Sequence, residues 1–121
     1  MTTEIRDYFD HVEHLFLLSP VVLSFQVPER EERLQEGFIR MGGVLSNGDL
    51  LEAFEFVVTM RDRVQTLTYR IHWQSGDGLL KRRWDNAPHH QDIPTFPHHV
   101  HHGPAEAVGA SELMTIQKVL T

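Results

Sequence analysis

Residues 64–74 read Val64-Gln65-Thr66-Leu67-Thr68-Tyr69-Arg70-Ile71-His72-Trp73-Gln74, and their alternation decides the fold class. Leu67, Tyr69, Ile71 and Trp73 fall on one side of an extended chain, and Thr66, Thr68, Arg70 and His72 on the other. That is the period of two of a half-buried strand. Downstream, Gly76-Asp77-Gly78 turns the chain into a further strand over residues 79–84. Upstream, Asn47-Gly48 separates residues 34–46 from residues 49–58. This dipeptide is a strong hairpin signal, expected to take positive φ at both central positions of the turn. In the second arm Leu50, Phe54, Phe56 and Val58 share one face, and Leu51, Ala53, Glu55 and Val57 the other. Carboxylates are seldom buried without a partner, so Glu55 on a mostly apolar face calls for one, with Arg70 or Arg83 the expected choice. Residues 21–27 make another apolar, β-branched strand, expected to end at Pro28 before a charged turn over residues 29–33. Gly42-Gly43 inside a strand pattern is read as a bulge.

Helices flank this sheet. Ile5, Phe9, Val12 and Phe16 recur at helical spacing, with Thr3 as expected N-cap and Ser19-Pro20 as the stop. His11 and His14 lie off the apolar stripe and read as solvated. At the other end Ser111 is expected to cap a helix with a Leu113, Ile116 and Leu120 stripe. Between Trp84 and Ser111 no helix or strand is expected, and Pro88, Pro94, Pro97 and Pro104 punctuate the segment. Ile93, Phe96 and Val100 give it anchors, so it reads as an ordered loop folded across the sheet. The expected class is therefore α+β, one domain over residues 1–121, with an antiparallel meander of about five strands packed by an N-terminal and a C-terminal helix.

Composition narrows the functional classes. The chain has 121 residues and no cysteine, which excludes disulfides and thiolate metal sites. No window approaches the roughly 20 apolar residues of a membrane span. The acidic N-terminus lacks the basic and apolar regions of a secretory signal, so the expected compartment is the cytoplasm. A formal charge of −6 argues against indiscriminate binding to nucleic acid, although protonating all nine histidines would reverse the sign.

Six of those histidines fall in one stretch, Asp85-Asn86-Ala87-Pro88-His89-His90 and then Phe96-Pro97-His98-His99-Val100-His101-His102. Histidine supplies the acid and base for proton transfer near neutral pH. It also supplies nitrogen ligands to a divalent transition metal. A third reading is structural, with the imidazoles capping backbone groups. In an extended run after Pro97, His99 and His101 share a face and could chelate one ion, which Asp85 or His90 could complete, while His98 and Val100 point away. Lys81, Arg82 and Arg83 precede Trp84-Asp85, and either Arg82 or Arg83 could hold a substrate phosphate. No helical metal motif and no nucleotide-binding glycine fingerprint is present.

The run Asp85-Asn86-Ala87-Pro88-His89-His90 followed by Thr95-Phe96-Pro97-His98-His99-Val100-His101 resembles the signature of the TumE family, small toxins encoded beside helix-turn-helix antitoxins. The similarity extends to the Ser19-Pro20 helix end and to the Glu36-Gly37-Phe38-Ile39-Arg40 and Tyr69-Arg70-Ile71-His72-Trp73 segments. The chain departs from the pattern at Val100, where a lysine is expected, and at His102. The resemblance implies a toxin neutralised by a helix-turn-helix antitoxin, and RNA as the expected target. In that reading the catalytic candidates are Asp85, His89, His90, His98 and His99, with His90 and His99 moving protons and Asp85 orienting one of them. The alternatives are a non-enzymatic module that binds the antitoxin and, third, a metal-dependent hydrolase using His99 and His101.

Overall fold

The computed structural model describes residues 4–121, so the expected cap at Thr3 lies outside the described residues. Helix α1 (Glu4–Leu18) is followed by β1 (Val22–Glu32), β2 (Glu36–Leu45), β3 (Leu50–Met60), β4 (Arg63–Gln74) and β5 (Leu80–Asp85). Then come β6 (His99–His102), β7 (Ala107–Ala110) and helix α2 (Ile116–Leu120). The seven strands form one antiparallel sheet in sequence order, each paired with the next. The class is the expected α+β meander, with seven strands instead of about five.

The apolar stripe of α1 is the buried one: Ile5, Phe9, Val12 and Phe16 pack on Ile39, Met41, Leu51, Ala53, Val57 and Ile71 of the sheet. At about 25 cal/mol per Å² of apolar surface, burial of such side chains is the main favourable term of the fold. Ile116 of α2 joins the same cluster, with Val119 and Leu120 at its margin. Both helices thus cover one face of the sheet, and the other face carries the polar side chains of β4, β5 and β6 treated below.

Several local expectations are corrected. Strand β1 does not end at Pro28 but runs to Glu32, with the proline in an irregularity between Gln26 and Glu29. An edge strand tolerates proline because its outward N–H needs no partner. The irregularity therefore lies in β1, while Gly42 and Gly43 pair in register on both sides. The Asn47-Gly48 hairpin has positive φ at Gly48 only, and Gly48 N–H donates to Leu45 O at 2.9 Å. That combination fits a type I turn closed by a glycine bulge. Positive φ at two successive turn positions occurs at Arg61-Asp62, between β3 and β4. Helix α2 begins at Ile116, not after Ser111, because Thr115 caps it by accepting the Lys118 N–H at 3.2 Å. The largest correction is the segment expected to hold no strand, which contributes β6 and β7.

Glu55 is fully buried on the helix side of β3, away from both arginines. Its Oε1 accepts from the Tyr8 hydroxyl at 2.5 Å and from Thr66 at 3.0 Å. Oε2 is buried without a hydrogen-bond partner among the described residues. Burial raises the Glu55 carboxyl above its ordinary pKa despite these donors, and pushes the Tyr8 phenol up as well. A carboxyl raised in the folded state binds its proton there more tightly than in the unfolded chain. Its contribution to stability is therefore full below the unfolded value of about 4.3 and is lost as pH rises towards the folded value. Glu55→Gln keeps an acceptor for both hydroxyls and removes that dependence. Relative to wild type, the variant should gain stability between pH 4.5 and 7.5 in urea unfolding. A stability difference that does not change with pH would contradict the assignment.

Candidate functional site

The site follows from strand register. Across β4, β5 and β6, Arg70 stands opposite Asp85 and Asp85 opposite His99, while His72 stands opposite Arg83 and Arg83 opposite His101. Directly paired residues share a face of an antiparallel sheet, so these two rows lie together on the face without helices. Alternation sends Trp84 and Val100 to the helix side, where Trp84 packs against the core and Val100 is buried.

Asp85 is the centre. Its Oδ1 lies 3.0 Å from His99 Nε2 and accepts the Ala87 N–H at 3.0 Å. Its Oδ2 lies 3.5 Å from His101 Nε2 and 3.8 Å from Arg83 Nε. His99 is 2% exposed, and its Nδ1 is 2.9 Å from the Pro97 carbonyl oxygen. His90 has a positive φ of 59° and sets its ring edge-on to those of His99 and His101, at centroid distances of 5.1 and 5.8 Å. His99 and His101 are 4.9 Å apart in the same measure. Burial and then the Arg83 guanidinium push the His101 imidazole below its ordinary pKa, which favours the neutral ring.

The loop is held by its own polar groups. Asn86 accepts the Tyr69 N–H at 3.1 Å and donates to Leu67 O at 2.8 Å, tying the start of the segment to a β4 irregularity beside Leu67. Thr95 donates to His98 O and accepts from the Ser111 N–H, tying the start of β6 to the end of β7. The result is a cleft of about 880 Å³ with Asp85, His89, His90, His99 and His101 on its walls.

Of the residues singled out in the sequence, Asp85, His90, His99, His101 and Arg83 come together, and His89 lines the cleft from an exposed position. Two do not join them. His98 points to the helix side, where its Nδ1 is 2.9 Å from the Tyr69 hydroxyl. Burial and the nearby Lys118 lower its pKa. Arg82 lies beside Trp73, Trp84 and Lys118 at a separate cavity. Arg83 is held between Asp85 and Glu106, the latter at 3.1 Å. Two arginines not expected at the site border the cleft. Arg40 pairs with Glu29 and lies over the Phe54 ring at 4.9 Å. Arg70 is exposed and has no ion pair among the described residues. The sequence held a signal for Arg70, its alternation with Tyr69 and Ile71, but the register that sets it opposite Asp85 was not readable.

These features define a small α+β protein with a carboxylate–histidine cleft on the open face of its sheet. Residues 12–121 match the family model described as toxin TumE, and the chain belongs to that family. No curated protein and no solved structure gives a significant match.

Proposed function

We propose that the chain is the toxin of a toxin–antitoxin pair and that it attacks RNA in the open-face cleft. The observation that carries this reading is the convergence of Arg40, Arg70 and Arg83 on a cleft that also holds Asp85 and four histidines. A phosphodiester needs cationic donors at its oxygens and a group to activate the attacking oxygen. Arg70, without a carboxylate partner among the described residues, is the guanidinium that takes the phosphate. Phe96 on the cleft wall is exposed and offers a surface on which an unpaired base can stack. This favours a single-stranded target and reconciles an acidic chain with an anionic substrate, since the positive charge is local.

In the acid–base version His90, exposed at the cleft mouth, moves the proton at the substrate. His99 is buried with both nitrogens facing acceptors, and serves with Asp85 to fix the other rings. The partner is a helix-turn-helix antitoxin. Leu17, Leu18, Val21 and Leu23 are exposed around the turn from α1 to β1, which suits a protein contact of that kind.

RNA binding tests the reading without requiring turnover. The protein should retain labelled single-stranded RNA at low salt. Arg70→Ala should weaken that binding and reduce the slope of log affinity against log salt by roughly one. Wild-type protein that holds no RNA at low salt would defeat the substrate assignment.

A further inference from the structure

We propose that His90, His99, His101 and Asp85 form the binding site of one divalent transition-metal ion, of the zinc, nickel or iron type. One available nitrogen from each of the three imidazoles falls within 4.8 Å of the other two. Ligands at about 2.0–2.1 Å from a shared ion stand about 3.4 Å apart in a tetrahedral site. Closing the set from 4.8 Å to that spacing takes a contraction of at most about 1.4 Å, and His90 sits on an exposed segment that can supply it. The Asp85 oxygens, at 3.0 and 3.5 Å from His99 Nε2 and His101 Nε2, already have the spacing of donors to one ion.

The hydrogen bonds of His99 carry the argument further. Its Nδ1 faces the Pro97 carbonyl, which can only accept, so Nδ1 must carry a proton. In the neutral ring that leaves Nε2 as a lone pair, buried and 3.0 Å from a carboxylate oxygen. Two acceptors at that distance require a cation between them. A proton satisfies this one contact, but does not account for the His90 and His101 rings gathered around it. A metal ion serves all four side chains at once. The Pro97 carbonyl then fills the usual outer-shell role, fixing the tautomer and orientation of a ligating imidazole. Arg83 beside Asp85 would oppose a cation, but Glu106 engages the same guanidinium at 3.1 Å and offsets its charge. Three nitrogens and a single carboxylate suit zinc, nickel or iron and not magnesium or calcium, which prefer all-oxygen sites.

Bound there, the ion would polarise a phosphodiester and lower the pKa of a coordinated water. That consequence rests on the RNA reading, whereas the binding itself does not. The test uses protein purified without a metal-affinity column, stripped with a chelator and titrated with cobalt(II) and with zinc in the absence of nucleic acid. One equivalent should bind, with cobalt absorption in the visible range, and excess magnesium should not compete. His101→Ala and His90→Ala should each weaken zinc binding by more than the roughly 10–100-fold cost of losing an outer-shell partner. His11→Ala and His102→Ala, away from the cluster, should leave it unchanged. His99→Ala opens a buried space, so it is read only if circular dichroism matches wild type; the exposed His90 keeps the test decisive without it. Absence of stoichiometric binding, or binding indifferent to His90 and His101, would overturn the proposal. Metal bound at this site by a protein that does not bind RNA would sustain it and sink the RNA reading.

Discussion

Expression of the chain without an antitoxin is expected to arrest growth, and His90→Ala is expected to relieve the arrest while the protein stays folded. The separation follows from where His90 lies. It is exposed on the loop and belongs to no part of the core, so its removal should change stability by within about 0.5 kcal/mol. Loss of a proton-transfer group costs roughly 10²- to 10⁴-fold in rate, and, in the metal version, loss of a ligand would cost the Lewis acid that a bound ion would supply. Both versions of the chemistry thus predict relief by His90→Ala, and the metal version predicts it for His101→Ala as well. The measurement is growth after induction, with equal soluble protein checked for each variant. Toxicity through binding alone predicts another pattern, in which Leu17→Ser or Leu23→Ser acts strongly and the histidine changes weakly. Arrest that persists with both His90 and His101 changed to alanine would defeat the catalytic cleft. Abundant, folded wild-type protein that leaves growth untouched would count against toxicity itself.

The largest change in stability is expected from Phe9→Ala. Phe9 is fully buried beneath the Arg30 guanidinium, which lies 5.6 Å from its ring centre. Its ring also closes on Gly37, where an added Cβ would come within 3.1 Å of it and 2.5 Å of the Glu31 carbonyl oxygen. A backbone so close to the helix leaves little freedom to collapse into the vacated space. Truncation of a buried phenylalanine costs about 3–5 kcal/mol, against a typical total of about 5–15 kcal/mol. Urea unfolding should show that loss, and growth arrest should weaken at 37 °C because less folded toxin is present. The cleft lies on the opposite face of the sheet, so at reduced temperature the folded fraction should regain wild-type RNA affinity. A loss below about 1 kcal/mol would mean that α1 does not dock through this stripe.

The two changes probe opposite faces, and that division was only half legible in the sequence. Local periodicity determined the elements where one face is wholly apolar. The Ile5, Phe9, Val12 and Phe16 stripe is buried as read, and the alternation through Tyr69, Ile71 and Trp73 faces the helices. In both, the burial preference repeats with the geometric period of the element and no long-range contact is needed to see it. Leu67 departs from its row because β3 and β4 shift register beside it, which leaves the side chain exposed. Neither β6 nor β7 was visible. Each has only four residues, and β6 is mostly histidine, whose strand character comes from pairing with β5 and not from its own hydrophobicity.

The same reason limits the site. Sequence by itself determined that titratable chemistry is concentrated between Asp85 and His102, and that His99 and His101 would share a side of an extended run. It could not choose between Arg82 and Arg83, left open whether Asp85 or His90 would complete the pair, and kept His98 among the catalytic candidates. Those outcomes depend on the β5–β6 register, which places Asp85 opposite His99 and Arg83 opposite His101 and turns Arg82 to the helix side. It likewise could not see that Glu55 would find hydroxyls from α1 and β4 and no arginine. Composition and period are properties of neighbours along the chain. Which side chain completes a polar cluster is set by residues up to dozens of positions away, and only the tertiary structure brings those into contact.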